Sequence, residues 1–285
     1  MANPLQLRAE VLANHVEGEY RRLVLRAPGV PERVRPGHFA TLAVGGPNSA
    51  LLLRRPFAIH RADPRAGTVE LVVAVRGAGS AELADSRPGE LLDLIAPLGT
   101  PFPLPEGPAT ALLVAGGYGA VPLLALGEAV LRRGGQVGVI LGAARADRLY
   151  GVEQARALTR DVLVVTEDGS LGMTGRVTDP LAQAIRAIDA TVVYGCGPMP
   201  MLRELSRIAL DAGVRCQVAV EEAMACGTGI CMTCVLPVVG EDGVSRFVRS
   251  CTEGPVFDGG RVRWDDRGRV PDDLEGAAAM GGAGR

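Results

Sequence analysis

Apolar and polar positions along the first third of the chain alternate in short runs. The runs at 5–11, 20–26, 38–44, 56–61, 68–75 and 91–95 are alternating or rich in β-branched residues, and turn-forming stretches such as APGV, GGPNS and ADPRAG separate them. A period of two puts every second side chain on one face of a strand. Six such runs within 1–104, with no helical period between them, predict a six-stranded β-barrel.

The pattern changes at PLPEGP, residues 103–108. Beyond it, apolar runs at 111–115, 136–141, 161–166, 191–194 and 217–220 alternate with segments of helical period at 120–133, 151–159, 180–188 and 199–212. That alternation predicts a Rossmann-like parallel sheet with covering helices, a nucleotide domain over 105–215. Residues 216–265 carry five of the six cysteines and read as a small third domain. The last stretch, 266–285, ends in EGAAAMGGAGR and is expected to be disordered.

Composition narrows the function classes. The net charge is −2, from 30 basic and 32 acidic residues, which gives no electrostatic case for nucleic acid or an anionic membrane surface. The N-terminus lacks a basic segment followed by an apolar run, so no signal peptide is expected. The uncharged stretch 107–127 is long enough to span a bilayer, but it holds five glycines and prolines in its interior. It reads better as a buried strand, a glycine turn and a helix start. A cytoplasmic protein with no membrane segment is the expectation.

The cysteines bear the sharpest signal. In ACGTGICMTC, Cys226, Cys231 and Cys234 follow C-x4-C-x2-C, and Cys251 lies sixteen intervening residues beyond. This is the spacing of plant-type 2Fe–2S ligation, in which one tight loop supplies three thiolates and a later strand the fourth. Gly227 and Gly229 let the loop wrap closely and aim amide N–H groups at sulfur. A four-cysteine zinc site would use two C-x2-4-C pairs, and Cys251 stands by itself. Unligated thiols are the other alternative. Cys216 reads as a small buried hydrophobe.

Two glycine loops follow apolar strands and open helices. Gly116, Gly117 and Gly119 lie in VAGGYGAVPLLAL, where Pro122 occupies the third glycine's place in G-x-G-x-x-G. Gly195 and Gly197 flank Cys196 in YGCGPMPML. Such loops at the carboxyl ends of strands in one sheet define a nucleotide crevice. Arg145 stands where a Rossmann fold often places an acid for the ribose. It is either a 2′-phosphate partner or a surface arginine. In the β region, Arg54 and Arg55 border an apolar strand and call for an anion, and Gly77, Gly79 and Ser80 form a turn suited to pyrophosphate.

The order of R-R-P-x-x-I, V-x-G-x-G-S, APLGTPF, VAGGYGAVPL, TEDGSLGMTGRVTD, YGCGPMPML, EEAMACGTGICMTC and CTEGPVF resembles the electron-transfer subunits of heteromeric dihydroorotate dehydrogenase, in the ferredoxin-reductase superfamily. The resemblance covers 5 to about 260. It implies an FAD-binding barrel, an NAD-binding α/β domain and a C-terminal 2Fe–2S domain. It places Arg55, Pro56, Phe57 and Ala58 on the flavin-binding strand, and Gly77, Gly79 and Ser80 at the second pyrophosphate turn. Gly117 and Gly119 fall in the nicotinamide-nucleotide loop, with Cys196 and Gly197 in the loop near the nicotinamide and Cys196 as the candidate catalytic position. Cys226, Cys231, Cys234 and Cys251 match the four cluster ligands. Ala58 departs from the family's usual Ser or Thr, which puts a hydroxyl contact to the flavin in doubt.

The resemblance further implies a partner, a catalytic FMN-containing subunit that oxidises dihydroorotate, in a heterotetramer. Electrons would leave that subunit and reach NAD⁺ in pyrimidine biosynthesis. The alternative keeps the cofactors and changes the partner, as in ferredoxin:NADP oxidoreductase or sulfide dehydrogenase reductase subunits.

Overall fold

The computed structural model describes residues 3–46, 49–271 and 273–274. Strands β1 (Leu5–Glu17), β2 (Tyr20–Arg26), β3 (Phe39–Leu42), β4 (Arg55–Asp63), β5 (Thr68–Ala74) and β6 (Leu91–Leu98) close into an antiparallel barrel in the order β1-β2-β5-β4-β3-β6. Leu23, Leu25, Leu42, Leu71 and Leu94 are fully buried inside it. β1 runs six residues past the predicted end at Val11. It pairs with β6 up to Glu10, shifts register between Val11 and Ala13, and continues as a hairpin with β2. The second half, LANHVE, mixes apolar and polar residues on both faces, so apolar alternation did not reveal it. Helix α1 (Ala78–Ala84) was also unpredicted, because AGSAELA is too short to show a period and opens on glycine.

The second unit is a seven-stranded sheet, β10-β9-β8-β7-β11-β12-β15. Its parallel strands are β7 (Thr110–Gly116), β8 (Gln136–Ala143), β9 (Val162–Thr166), the two-residue β10 (Met173–Thr174), β11 (Val192–Cys196) and β12 (Arg215–Ala219). β15 (Val256–Asp258) is antiparallel to β12. One face is covered by α2 (Ala120–Arg132) and α3 (Val152–Leu158), the other by α4 (Leu181–Ala187) and α5 (Met199–Asp211). The central strands are buried on both sides, which is why they read as unbroken apolar runs.

The third unit leaves the sheet after β12 and returns at β15. Between them lie the cysteine loop and the hairpin of β13 (Val235–Val239) and β14 (Ser245–Arg249). The neck is narrow, since Val220 N–H donates to Pro255 O at 2.9 Å. The barrel joins at the same place through Thr100, whose amide donates to Gly254 O at 2.5 Å and whose hydroxyl donates to Thr252 O at 3.1 Å. β12 and β15 thus take the sheet past residue 215. The start of the expected disordered tail is ordered: Arg263 pairs with Asp266 at 2.6 Å and Asp273 at 2.5 Å, and Leu274 is buried. Residues 275–285 lie outside the described residues.

Barrel and sheet meet across a polar seam of tyrosines. Tyr20 donates to Arg148 O at 2.7 Å, Tyr118 to Val72 O at 2.6 Å, and Tyr150 to Glu17 at 3.0 Å. His38 is buried in the barrel wall, where its Nδ1 accepts from Arg35 N–H at 3.0 Å and its Nε2 has no partner. Burial lowers its pKa to about 4 from 6.5. The folded state therefore disfavours the proton that the unfolded chain takes up below 6.5. Stability is full above pH 6.5 and falls as pH drops toward 4. Chemical denaturation of wild type and His38→Asn should differ over that window, the wild type losing about 3 kcal/mol more.

Candidate functional site

β7 and β11 are neighbours in register, with Cys196 opposite Ala115, so their two glycine loops end at the same level. They touch backbone to backbone. A Cβ on Gly119 would lie 2.0 Å from the Cys196 carbonyl oxygen, and one on Gly197, where φ is +152°, would lie 3.0 Å from Gly116 Cα. Only glycine allows this approach. Gly119→Ala should cost about 3 kcal/mol of stability, read by denaturant unfolding, because neither backbone can give way.

Two clefts open beside these loops. The first, about 540 Å³, lies where barrel, sheet and cysteine unit converge. Phe39, Pro56, Ala58 and Ala74 supply an apolar wall from the barrel, and Cys196, Glu221 and Met224 face it. Among the described residues no Ser or Thr lines it, and Ala58 brings only a methyl group there. Phe57 lines the cleft and also belongs to the barrel core. The second cleft, about 520 Å³, runs along the ends of β7, β8 and β9 past Gly116, Gly117, Ala143, Glu167 and Arg176. Arg76, Tyr118 and Glu221 line both clefts and so stand at their junction.

Burial holds the Cys196 thiol far above its ordinary pKa, and the nearby Glu221 adds to the effect. It is a protonated thiol at neutral pH. Glu221 is crowded by the cleft walls, which raise its pKa, though water reaches it through the mouth. Arg145 does not line the second cleft and is bound to Asp147 at 2.7 and 3.2 Å, which favours the surface arginine of the two alternatives.

On the barrel, the paired arginines part company. Arg54 is consumed by Asp93 at 2.8 Å and by the Asp93 carbonyl at 2.6 Å. Arg55 has no carboxylate partner among the described residues, and its guanidinium lies against Gly79, where a Cβ would come within 2.5 Å of Nε. Ser80 serves the turn itself: its hydroxyl accepts from Arg76 N–H at 2.8 Å and Gly77 N–H at 3.1 Å and donates to Gly77 O at 3.0 Å. What the sequence reading took for a free turn is the first turn of α1, capped by Gly77.

The four thiols fall into two pairs. Cys226 and Cys231 hydrogen-bond at the surface of the loop, and Cys234 and Cys251 do so buried against Phe39 and Leu98 of the barrel. Three backbone amides, of Thr228, Ile230 and Cys231, converge on Cys226 Sγ at 3.4–3.5 Å. They help bring its pKa down to about 6 against the opposing effect of burial, while burial and the neighbouring Cys234 push Cys251 up to about 12. Gly227 and Gly229 have positive φ, and a Cβ on Gly227 would strike Thr41 at 2.6 Å. Among the described residues no three thiols surround one metal-ion position. Two pairs are what a two-iron cluster asks for, since each iron takes two thiolates.

The comparisons with known proteins agree with this geometry. Residues 221–263 match the model of the iron–sulfur cluster binding domain of dihydroorotate dehydrogenase B. The "Dihydroorotate dehydrogenase B (NAD(+)), electron transfer subunit" of Bacillus caldolyticus is 37% identical over 242 residues, 84% of this chain and 91% of that one. Its counterpart in Shouchella clausii is 39% identical over 244 residues, again 84% and 91%. This chain belongs to that family. Among solved structures, a chain of the NADH-dependent reduced ferredoxin-NADP oxidoreductase, described for flavin-based electron bifurcation, is 28% identical with a TM-score of 0.78 over 90% of each chain.

The electron-transfer-subunit fold thus brings the expected residues into three places. Pro56, Ala58 and Cys196 line the first cleft and Gly117 the second, Gly119 and Gly197 make the close backbone contact between the two loops, Arg55 lies against Gly79 on the barrel, and Cys234 and Cys251 pack on Phe39 and Leu98. Sequence reasoning missed Arg76, Tyr118 and Glu221. Each adjoins a motif it did read, in VRG, GGYG and EEAMAC, so adjacency was the available signal. The thiols give a direct check. In chain stripped of metal, iodoacetamide at pH 7 should label Cys226 and Cys231 and spare buried Cys196 and Cys216, as read by peptide mass spectrometry.

Proposed function

We propose that this chain passes electrons from a catalytic dihydroorotate dehydrogenase subunit, by way of a 2Fe–2S cluster and FAD, to NAD⁺. The observation that carries the reading is the first cleft, whose walls come at once from the barrel, from the glycine loops and from the cysteine unit. The partner would be an FMN-containing subunit in a heterotetramer, working in the cytoplasm. No helix among the described residues is long and apolar enough to cross a membrane.

The residues present fit the groups. Cys226 and Cys231 would hold one iron, Cys234 and Cys251 the other, with the amides on Cys226 favouring negative sulfur. Arg55 and the first-turn amides of α1 would meet the FAD pyrophosphate, with Gly79 leaving the arginine its room. Pro56, Phe57 and Ala58 would form the flavin's barrel wall, with Gly77 and Ser80 shaping the adjoining turn. Gly117, Gly119, Cys196 and Gly197 would bound the nicotinamide nucleotide. When bound, the flavin supplies both hydride exchange with a nicotinamide and single-electron exchange with a cluster. The chain's part is to orient, to exclude water at the apolar wall and to keep the Cys196 thiol protonated beside it.

The likeness to the ferredoxin-NADP oxidoreductase chain supports a second reading, the same three units serving another electron carrier. An anaerobic absorption spectrum followed by NADH addition tests both. Flavin and cluster bands that bleach together are the expected result, with no dihydroorotate oxidation by the chain unless the catalytic subunit is added. A colourless zinc protein overturns the proposal. Bleaching without any rescue by the catalytic subunit favours the second reading. Cys251→Ser should lose the cluster band yet keep the flavin band and NADH–ferricyanide turnover, since Cys251 lines neither cleft.

A further inference from the structure

We propose that Glu167 makes this chain selective for NAD(H) over NADP(H) by holding the hydroxyls of the adenosine ribose. The inference rests on the nucleotide reading of the second cleft. In nucleotide-binding sheets the ribose is met by an acid at the end of the strand beside the glycine-loop strand. Here that strand is β8, and it ends in Ala143, Ala144 and Arg145 with no acid.

The fold supplies the acid from the next strand. β9 runs parallel to β8 and ends level with it, Thr166 opposite Ala143. Glu167 N–H donates to Ala143 O at 3.1 Å and Asp168 N–H to Ala144 O at 3.2 Å, so the two strand ends are clamped together. Glu167 then lines the cleft beside Ala143 and Ala144.

Several of the neighbouring charges are committed elsewhere. Asp168 is committed to its own turn, accepting from Ser170 N–H at 3.0 Å and the Ser170 hydroxyl at 2.6 Å. Glu204, also on the cleft, is held by Arg207 at 2.6 and 3.1 Å. Arg145 is neutralised by Asp147 and does not line the cleft. Among the described residues the Glu167 carboxylate has neither an ion pair nor a side-chain hydrogen bond, and it is exposed to the cleft. A free carboxylate accepts from two vicinal hydroxyls and repels a phosphate ester placed on one of them. Arg176, Arg148 and Arg76 are the competing groups, because a guanidinium on the same cleft would favour a 2′-phosphate.

Titration calorimetry on the intact, cofactor-loaded chain decides between them, using NAD⁺ against NADP⁺ and AMP against 2′,5′-ADP. The second pair probes the adenosine end without any turnover. The wild type should favour the unphosphorylated member of each pair by about tenfold or more. Glu167→Gln should cut that ratio about tenfold, and Glu167→Arg should reverse it, both with unchanged flavin absorbance and melting temperature. A wild-type preference for NADP⁺, or a ratio indifferent to Glu167→Gln, overturns the role of Glu167. Failure of all four nucleotides to bind overturns the reading of the cleft on which it stands.

Discussion

The tightest constraint in the molecule is the contact of two backbones, Gly119 against the carbonyl of Cys196. It fixes how far the β7 and β11 loops stand apart, and both clefts open beside that fixed edge. A side chain at either place would pry the loops open and displace Tyr118, whose hydroxyl ties the glycine loop to the barrel at Val72. The barrel's position over the sheet therefore depends on atoms that are absent, the missing Cβ atoms of Gly116, Gly119 and Gly197.

Charge is placed with similar economy. Of two adjacent arginines on the barrel, one is spent on Asp93 and one meets no carboxylate among the described residues, lying against Gly79 and donating to Leu53 O. Of two adjacent acids after β9, one is spent on Ser170 and one is left toward the cleft. In both pairs the committed member holds the local backbone and the free member is available to a ligand. An isolated charge in an apolar surround would be costly, and water reaches both free members.

Much of this was legible in the sequence. The barrel strands, the alternation of strand and helix, and the four cysteines could be read because periodicity, composition and thiol spacing are local properties. β10 and β15 could not be read, since two or three residues carry no period and β15 earns its place only by pairing with β12. The ordering of Asp273 and Leu274 was hidden too, because it depends on Arg263 and on the β13–β14 hairpin rather than on nearby residues. Glu221 and Glu167 look like surface acids in the sequence. Only the folded arrangement sets one beside Cys196 and the other beside the end of β8.

The neck at Val220 and Pro255 bears on how such a chain is assembled in evolution. The two ends of the cysteine unit are already held 2.9 Å apart by strands that belong to the sheet. Closing the intervening loop therefore adds little entropy cost of its own, and its length is free to vary. The unit behaves as a cassette set into a reductase body. Exchange for another carrier would keep that seam, and would have to replace the packing of Cys234 and Cys251 on Phe39 and Leu98 and the wall that Ala223 and Met224 lend the first cleft.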